Sequence, residues 1–381
     1  MDKKAGYPRR YPAFLLPEYI LNSFLHVTQE KNRMKITKRK EHTPAGDINL
    51  FIIENACGAW VELSSLGAGV TAVCVPDREG RIEHVALGYA DIASYVHDDP
   101  NMGKTAGRYA NRIAHGALTV GGRSYKLAVN CGSHHLHGGP EGFQHRLWSA
   151  RELSDGVVFT YRSVDGEEHY PGTLEVRVTY HWSDDMRLSI EYSAVTDEDT
   201  VVNLTNHCYW NLRGADAGCA LGHELQMKAS RCLVTDETLA PTGEFDDVAG
   251  TPMDFRSFKT LGKDIHADFA PLRHGKGYDH CWAIDDWQPG MMAEDVVVLR
   301  DPVSGRTLAV DSDQPGVQIY TGNWLAGSGP NRSGGRYADY DGVAVEMQGF
   351  PDAPNHGHFP SQLIHPGEEY VRRIHYKFGV M

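Results

Sequence analysis

The sequence predicts an all-β protein, a large antiparallel β-sandwich, and three observations lead to this prediction. Apolar and polar residues alternate along much of the chain from about residue 48 onward, most clearly over Leu174–Trp182, and a period of two is typical of strands with one buried face. Forty glycines and 19 prolines supply residues for many turns. No long stretch shows the period of about 3.6 residues that indicates a helix.

Alternating segments recur in pairs, and each pair is separated by a short run of turn-forming residues. Such pairs predict β-hairpins and therefore antiparallel strands. The turns are formed by Ser183-Asp184-Asp185, by Gly121-Gly122 and by a Pro- and Gly-containing run. The paired segments are Leu174–Trp182 with Met186–Tyr192, Leu118–Val120 with Ser124–Leu127, and Val296–Arg300 with Thr307–Asp311.

Residues 34–381 are predicted to form a single domain, because β-sandwiches commonly run past roughly 200 residues as one unit. Residues 1–33 are predicted to be a poorly ordered N-terminal extension. The first forty residues carry ten Lys or Arg against three Asp or Glu, and apolar residues such as Phe14 and Leu21 interrupt these charges. The sequence leaves open the role of the extension and whether Met34 is the true start.

The overall charge and the cysteines exclude several classes of protein. The 381 residues include 37 Lys or Arg and 50 Asp or Glu, a net charge of −13, which argues against nucleic acid as the main partner. Seven scattered cysteines without a CxxC pair favour free thiols in a reducing compartment over disulfides or structural zinc. No apolar run approaches the roughly 18 residues of a membrane span. We therefore expect a cytoplasmic protein with no membrane partner.

Irregular, polar-rich segments interrupt the strand pattern and are the candidates for chemistry. Two of their residues, His207 and Glu346, each lie beyond an apolar or alternating run. Taken alone, each has an ordinary interpretation, as a hydrogen-bonded histidine or a solvated glutamate at a strand end. The segments are Gly107–Ile113 with Leu136–Gly139, Asn203–Leu212, Gly277–Trp282 and Val343–Asn355.

Together, Glu346 and His207 indicate proton transfer, because Glu and His are a natural acid and base pair near neutral pH. These segments and the run around residues 317–325 carry groups that suit a sugar: amides, a guanidinium and a carboxylate for its hydroxyls, and aromatic faces for its C–H side. The polar candidates are Asn111, Arg112, Asp279 and Gln318. The aromatic candidates are Tyr209, Trp210, Trp282, Trp324 and Phe350.

Six motifs, five of them in the polar-rich segments, resemble those of the aldose 1-epimerase (galactose mutarotase) family, and they occur in the family's order. They are GRYANRI at 107–113, LHGG at 136–139, TNHCYWNL at 205–212, YDHCW at 278–282, VQIYTGNWL at 317–325 and VEMQGFPDAPN at 345–355. The similarity covers roughly residue 34 to the C-terminus. It implies a galactose mutarotase-like β-sandwich and an isomerase that interconverts the α and β anomers of free aldohexoses such as galactose and glucose.

The resemblance also implies roles for individual residues. Glu346 resembles the family's catalytic base, His207 its catalytic acid and His137 its second active-site histidine. The positions that match its sugar contacts are Asn111, Arg112, Asp279 and Gln318. The proton transfers require no cofactor and no metal, so the sugar is the one expected partner, while monomer and homodimer both stay open.

Two departures and three alternatives accompany this interpretation. The family often has Ser at position 208 and Phe or Tyr at 210, where this chain has Cys208 and Trp210, and Trp210 is expected to reshape the pocket, so the preferred sugar stays open. One alternative is a metal-dependent cupin-like enzyme, because His135, His137 and Glu141 resemble an HxH and downstream Glu. The others are a noncatalytic carbohydrate-binding protein and a hexose-phosphate epimerase, which would need a cationic phosphate pocket.

Overall fold

Antiparallel strands form most of the regular structure in residues 34–381, the part of the chain that this computed structural model describes. The predicted N-terminal extension, residues 1–33, lies outside the described residues. In chain order the strands are β1 (Lys35–Thr43), β2 (Gly46–Glu54), β3 (Trp60–Ser64), β4 (Gly69–Pro76), β5 (Ile82–His84), β6 (Thr105–Ala106), β7 (Arg112–Ile113), β8 (Ala117–Val120), β9 (Arg123–Lys126), β10 (His135–Leu136), β11 (Ser149–Glu152), β12 (Gly156–Ser163), β13 (Leu174–Trp182), β14 (Arg187–Thr196), β15 (Thr200–Val201), β16 (Thr205–Asn206), β17 (Tyr209–Trp210), β18 (Glu224–Met227), β19 (Arg231–Thr235), β20 (Pro241–Asp247), β21 (Lys259–Thr260), β22 (Asp279–Ala283), β23 (Ala293–Arg300), β24 (Arg306–Ser312), β25 (Gly316–Tyr320), β26 (Val343–Gln348), β27 (Leu363–Ile364) and β28 (Tyr370–Val380).

Helical structure in the same residues is limited to short connections. One α-helix, α1 (Ala270–Gly275), precedes β22. Short 3-10 helices cover Ile92–Tyr95, Ala114–Gly116, Phe143–His145, Glu167–His169, Ala220–Gly222, Leu261–Lys263 and Ala353–Asn355. None of the helices between residues 34 and 381 has the length and apolar character needed to cross a bilayer.

Three sheets carry the architecture of the described residues. A nine-stranded sheet has the order β11-β12-β13-β14-β28-β24-β23-β18-β21, a six-stranded sheet has the order β17-β26-β25-β22-β19-β20, and a five-stranded sheet runs from β1 to β5 in chain order. Neighbouring strands within each sheet are antiparallel. An antiparallel bridge between Ala86 and Trp210 connects the end of the five-stranded sheet to the six-stranded one.

The core lies between the nine-stranded sheet and the other two. Fully buried side chains from all three sheets share one cluster, for example Val61, Phe159 and Val345. The ring of Phe159 meets that of Phe51 from the five-stranded sheet with centroids 6.0 Å apart. Trp210 of the six-stranded sheet similarly meets Tyr376 at 5.1 Å. This layered arrangement confirms the predicted antiparallel β-sandwich.

The predicted hairpins are present in the structure. Leu174–Trp182 pairs with Arg187–Thr196, and its side chains alternate between buried and more exposed as the period of two predicts. The hairpins β8-β9 and β23-β24 lie where the sequence places them. The alternation predicted from about residue 48 misses β1, which begins at Lys35. That strand lies at a sheet edge and carries many charges, which discourage pairing with another chain.

Strand β26 positions a candidate site residue, and both faces of this strand are covered by protein. All six of its residues, Val343–Gln348, are buried. Val343, Val345 and Met347 belong to the core cluster, so the alternation of a strand places Glu346 on the opposite face. Glu346 is paired directly with Gln318 on β25. A carboxylate is thereby held on a rigid strand under a cover of protein.

Candidate active site

A cavity of about 720 Å³ opens above this face of β26. Its volume lies in the range of roughly 300–1,000 Å³ typical of small-molecule sites. Six of the seven site residues predicted from the sequence line it, namely Asn111, Arg112, His137, His207, Asp279 and Glu346. Segments far apart in the chain therefore converge on one cavity.

Glu346 is buried without a full set of partners. Its residue is 2% exposed, and its Oε2 atom has no hydrogen-bond partner among the described residues. Burial, followed by the negative charge of Asp279, raises the pKa of Glu346 well above its usual range, while Arg112 opposes the shift. A carboxylate with a raised pKa is a stronger base once it is ionised.

His207 faces Glu346 across the cavity floor. Its backbone is held by two hydrogen bonds, from its own N–H to the carbonyl of Lys104 at 2.9 Å and from the N–H of Gly103 to its carbonyl at 2.9 Å. The side chain is buried, and burial lowers the pKa of His207 to about 4. The protonated imidazole is therefore a stronger acid than an exposed histidine would be.

The side chains of His207 and Glu346 are close enough to contact one small ligand at the same time. Nε2 of His207 lies 3.7 Å from Oε1 of Glu346, beyond direct hydrogen-bond distance. Nδ1 of His207 also has no partner in the described part of the chain. The remaining polar atoms of both groups are thus available to a ligand.

His137 is fixed in one tautomer by the backbone beside it. The N–H of Asn111 donates to Nδ1 of His137 at 3.1 Å, so Nδ1 is an acceptor and the proton of the neutral ring lies on Nε2. Burial lowers the pKa of His137 well below its ordinary value. The ring meets that of His207 edge to face with centroids 5.2 Å apart. His137 therefore offers a neutral N–H donor beside His207.

The turn after His137 requires glycine. Gly138 has a φ of +84°, and a Cβ atom there would lie 1.8 Å from the carbonyl oxygen of Gly107. No side chain fits at that distance, so the LHGG motif brings the backbone of residues 136–139 against the GRYANRI segment. The short pairing of β10 with β7 continues this contact. The sequence motif thus has a steric cause.

Arg112 and Asp279 form a charged pair at the cavity wall. Nη2 of Arg112 lies 3.7 Å from Oδ2 of Asp279, and Nε of Arg112 has no hydrogen-bond partner among residues 34–381. Asn111 accepts the N–H of Arg112 with its own Oδ1 at 2.8 Å. The free donors of Arg112 and the amide of Asn111 are available to hydroxyl groups.

Gln318 differs from the other six residues, because it does not line the main cavity. Its Nε2 donates to Oδ1 of Asp279 at 2.6 Å. Gln318 lines a smaller cavity beside the main one, together with Asn111 and Asp279. Its Oε1 is buried without a partner among the described residues. In this structure Gln318 holds the carboxylate of Asp279 from behind.

Aromatic rings form one wall of the cavity, and this set differs in part from the set predicted from the sequence. Tyr209, Tyr320 and Trp324 line the cavity, and the rings of Tyr320 and Trp324 stack with an interplanar angle of 20°. Trp324 is 52% exposed, so its face is available to a ligand. Sequence reasoning missed Tyr320, which lies two residues after Gln318 and so on the same face of β25.

The prediction that three further rings supply aromatic faces of the cavity is wrong, because the lining does not include Trp210, Trp282 or Phe350. Trp210 and Trp282 belong to the core cluster, and Phe350 packs against Phe245 and Phe359. The alternation of a strand explains Trp210, since Tyr209 faces the cavity and its neighbour must face the core. The expectation that Trp210 reshapes the pocket is wrong for the same reason.

The outer wall is formed by residues 94, 97–101 and 324–329. A buried ion pair holds the first of these segments, with Nζ of Lys104 3.3 Å from Oδ2 of Asp98. Asp98 also accepts the hydroxyl of Tyr89 at 2.8 Å. The carbonyl of Pro100 in turn accepts the hydroxyl of Tyr209 at 3.1 Å, so the wall is joined to the aromatic face.

A cation could be ligated at the same point as the acid and base. One ligand atom from each of His137, His207 and Glu346 lies within 4.8 Å of the others, and two imidazoles with one carboxylate suit transition metals. The cupin-like set is not assembled, because both ring nitrogens of His135 are engaged. They contact the carbonyl of Ala128 and the hydroxyl of Tyr170, each at 2.6 Å, and Glu141 is exposed.

Comparison with known proteins decides the family. The family model described as Aldose 1-epimerase matches residues 49–377. Galactose mutarotase of Bos taurus is 42% identical over 320 residues, which cover 84% of this chain and 91% of the relative. Aldose 1-epimerase of Escherichia coli strain K12 is 37% identical over 332 residues, which cover 86% and 94%. The chain belongs to the aldose 1-epimerase family.

Solved structures of aldose 1-epimerase relatives have the same fold. The crystal structure of galactose 1-epimerase from Lactobacillus acidophilus NCFM matches with a TM-score of 0.79 and 27% identity, covering 91% of this chain and 99% of that one. A crystal structure of an aldose epimerase homologue from C. elegans gives 0.78 and 29%, covering 91% and 100%. The family resemblance and the galactose mutarotase-like sandwich predicted from the sequence are confirmed.

In this member of the aldose 1-epimerase family, the charges that line the main cavity also bear on the hexose-phosphate alternative. Among the described residues that line the main cavity, Arg112 is the one Lys or Arg, and Asp279 already faces it. Asp98 is paired with Lys104, and Asp99 adds a further acidic group to the lining. A phosphate would therefore find no unpaired Lys or Arg among these lining residues, so the cavity favours an uncharged sugar.

Proposed function

We propose that this protein is an aldose 1-epimerase that interconverts the α and β anomers of free aldohexoses such as galactose and glucose. The observation that carries the proposal is the placement of Glu346 and His207, 3.7 Å apart, in a cavity of a size suited to a small ligand. Two relatives of 42% and 37% identity are named galactose mutarotase and aldose 1-epimerase. Membership of an isomerase family supports the same conclusion.

Ring opening of a cyclic sugar needs one proton removed and one supplied. In the proposed reaction Glu346 takes the proton from the anomeric O1 hydroxyl. The C1–O5 bond breaks with its electron pair moving to O5, which receives a proton from Nε2 of protonated His207, and C1 becomes an aldehyde. Rotation about C1–C2 exposes the other face, and ring closure reverses both transfers. Each well-placed transfer is worth about 10²–10⁴ in rate.

The shifted pKa values suit the two roles. Burial raises the pKa of Glu346, which makes its carboxylate a better base, and burial lowers the pKa of His207 to about 4, which makes its imidazolium a better acid. In the empty site the pair therefore favours the neutral carboxylic acid and neutral imidazole. The charged pair holds the same number of protons, so it forms by internal proton redistribution when the sugar binds.

The other predicted site residues are proposed to bind and orient the sugar. His137 presents its Nε2–H toward the region of the ring oxygen, where it stabilises developing charge. Asn111, Arg112 and Asp279 line the cavity with amide, guanidinium and carboxylate groups that suit hydroxyls. Gln318 is proposed as a sugar contact as well, and its bond to Asp279 supports a second role in holding that carboxylate. No cofactor takes part in these steps.

The cellular setting is proposed from the cysteines. All seven carry free thiols in the described part of the chain, and three of them, Cys57, Cys131 and Cys219, are not buried. Exposed thiols are ordinary in a reducing compartment. We therefore propose a cytoplasmic enzyme whose partner is its sugar, and both a monomer and a homodimer agree with these observations.

Polarimetry tests the function directly. Freshly dissolved α-galactose and α-glucose are followed with the purified protein, with a heat-inactivated sample, and with buffer alone. The native protein should accelerate the approach to anomeric equilibrium for at least one of the sugars without changing the final rotation. Equal rates in all three samples would refute the proposed function.

A further inference from the structure

The loop after β26 reaches back to the segment that carries Arg112. Asp352 in this loop is 2% exposed. Its Oδ1 atom accepts the N–H of Ala114 at 2.9 Å, and its own N–H donates to the carbonyl of Arg112 at 2.8 Å. One residue thus holds the backbone on both sides of Ile113.

Arg112 needs such support, because its side chain has few contacts of its own. Its Nε has no hydrogen-bond partner among the described residues, and its contact with Asp279 spans 3.7 Å. The direction of the guanidinium therefore depends on the backbone from which it starts. The N-terminal side of Arg112 is held by Oδ1 of Asn111, and its C-terminal side is held by Asp352.

Asp352 is itself held in place from its own loop. Nδ2 of Asn355 donates to Oδ1 of Asp352 at 2.6 Å, and Nε2 of His356 lies 3.2 Å from Oδ2. The residue has a φ of +57°, a conformation that Asn, Asp and Gly adopt more readily than other residues. Asp352 does not line the main cavity, so any effect on a sugar must pass through its neighbours.

We propose that Asp352 is a positioning residue for sugar binding, which acts by fixing the backbone of Arg112–Ala114 and thereby aiming the guanidinium of Arg112 into the cavity. The inference rests on the proposed function, because it is measured through the epimerase reaction. It gives Asp352 in the PDAPN segment a task separate from proton transfer. Glu346 and His207 keep their places without it.

Two substitutions separate the acceptor from the backbone conformation. Asp352→Gly keeps access to positive φ and removes the acceptor, whereas Asp352→Asn keeps both. Asp352→Gly should raise the KM for galactose roughly 10- to 100-fold, the scale expected when hydrogen bonds between a charged group and its ligand are lost, with kcat little changed. Asp352→Asn should restore a KM near that of the wild type. His358→Ala is the matched control and should leave KM unchanged, because His358 is exposed in the same loop and contacts the carbonyl of Gly243 rather than Asp352.

A double-mutant cycle tests whether Asp352 acts through Arg112. If it does, Asp352→Gly should add little to the KM of Arg112→Ala, because the group that it aims is already absent. Fully additive effects, an unchanged KM in Asp352→Gly, or a KM for Asp352→Asn as high as that for Asp352→Gly would each overturn the proposal. Inactivity of the wild-type protein would instead refute the proposed function. Thermal unfolding of each variant confirms that the kinetics report folded protein.

Discussion

Oε1 of Glu346 and Nε2 of His207 lie 3.7 Å apart, and the other polar atom of each side chain has no hydrogen-bond partner among residues 34–381. Buried polar groups are usually hydrogen-bonded. Two buried polar atoms without partners therefore indicate a site that binds a polar ligand. A pyranose offers O1 and O5 to the two groups at once.

Replacement of Glu346 by Gln should remove the base while keeping the shape of the side chain. We expect kcat to fall by about 10²–10⁴, the usual worth of one positioned proton transfer, even at saturating galactose. Polarimetry measures the rate, and circular dichroism checks the fold. A noncatalytic carbohydrate-binding protein would show no turnover to lose, and a kcat close to that of the wild type would contradict the assignment of the base.

Replacement of His207 by Ala should remove the acid and lower kcat by a similar factor, again about 10²–10⁴. Sugar affinity should fall much less, because the hydroxyl-binding groups lie on other elements; isothermal titration calorimetry measures it. His365→Ala is the control, since His365 is a surface residue that pairs with Asp199. A variant that loses affinity but keeps kcat would show that His207 binds sugar rather than transfers a proton.

The rate should have a bell-shaped dependence on pH, because the active pair holds one proton. Below pH about 4, near the lowered pKa of His207, the pair takes up a second proton and loses its base. Above the raised pKa of Glu346, the pair loses its only proton and has no acid. Plots of kcat/KM against pH report both limits for the free enzyme, and a pH-independent rate would contradict this account.

Charge substitutions should move the alkaline limb of that profile in opposite directions. The negative charge of Asp279 raises the pKa of Glu346, so Asp279→Asn should shift the limb to lower pH. The positive charge of Arg112 lowers the same pKa, so Arg112→Gln should shift it to higher pH. Both variants should also raise KM, because each removes a group that lines the cavity. Shifts of the same sign would show that the limb belongs to another group.

Removal of metal ions should leave the activity unchanged, because the proposed steps use side-chain protons alone. Added Zn²⁺ should instead inhibit in competition with galactose, since it suits the nitrogen and oxygen ligands of His137, His207 and Glu346. Mg²⁺, which prefers oxygen ligands, is the control and should have no effect. Initial rates after dialysis against a chelator, with metal analysis, make the test. Activity that disappears with a bound metal and returns with it would support the metal-dependent alternative.

Much of the fold could be predicted because its signal is local. The alternation in Leu174–Trp182 reflects one buried and one exposed face, and the structure shows that strand. Strand β1 was not predicted, because its many charged residues leave no clear apolar alternation. Charged side chains are favoured on an edge strand, because they prevent its pairing with another chain.

The site was predictable in part for a different reason. The motifs bring Glu346, His207 and His137 into one cavity, but adjacent aromatic letters in a motif do not share a face. Tyr209 and Trp210 point to opposite sides of their strand, and period-two reasoning applied to that pair would have separated them. The outer wall around Asp98 could not be predicted, because long-range contacts rather than local pattern place it.

Strand β26 has no solvent-facing side, so activity depends on which of its residues face the cavity and which face the core. A one-residue deletion before Glu346 would turn the carboxylate toward the apolar interior and bring a hydrocarbon side chain to the sugar. Insertions of two residues would restore the facing but move the carboxylate along the strand by roughly 7 Å. Length changes in this short segment are therefore expected to abolish activity at positions where a conservative point substitution is tolerated.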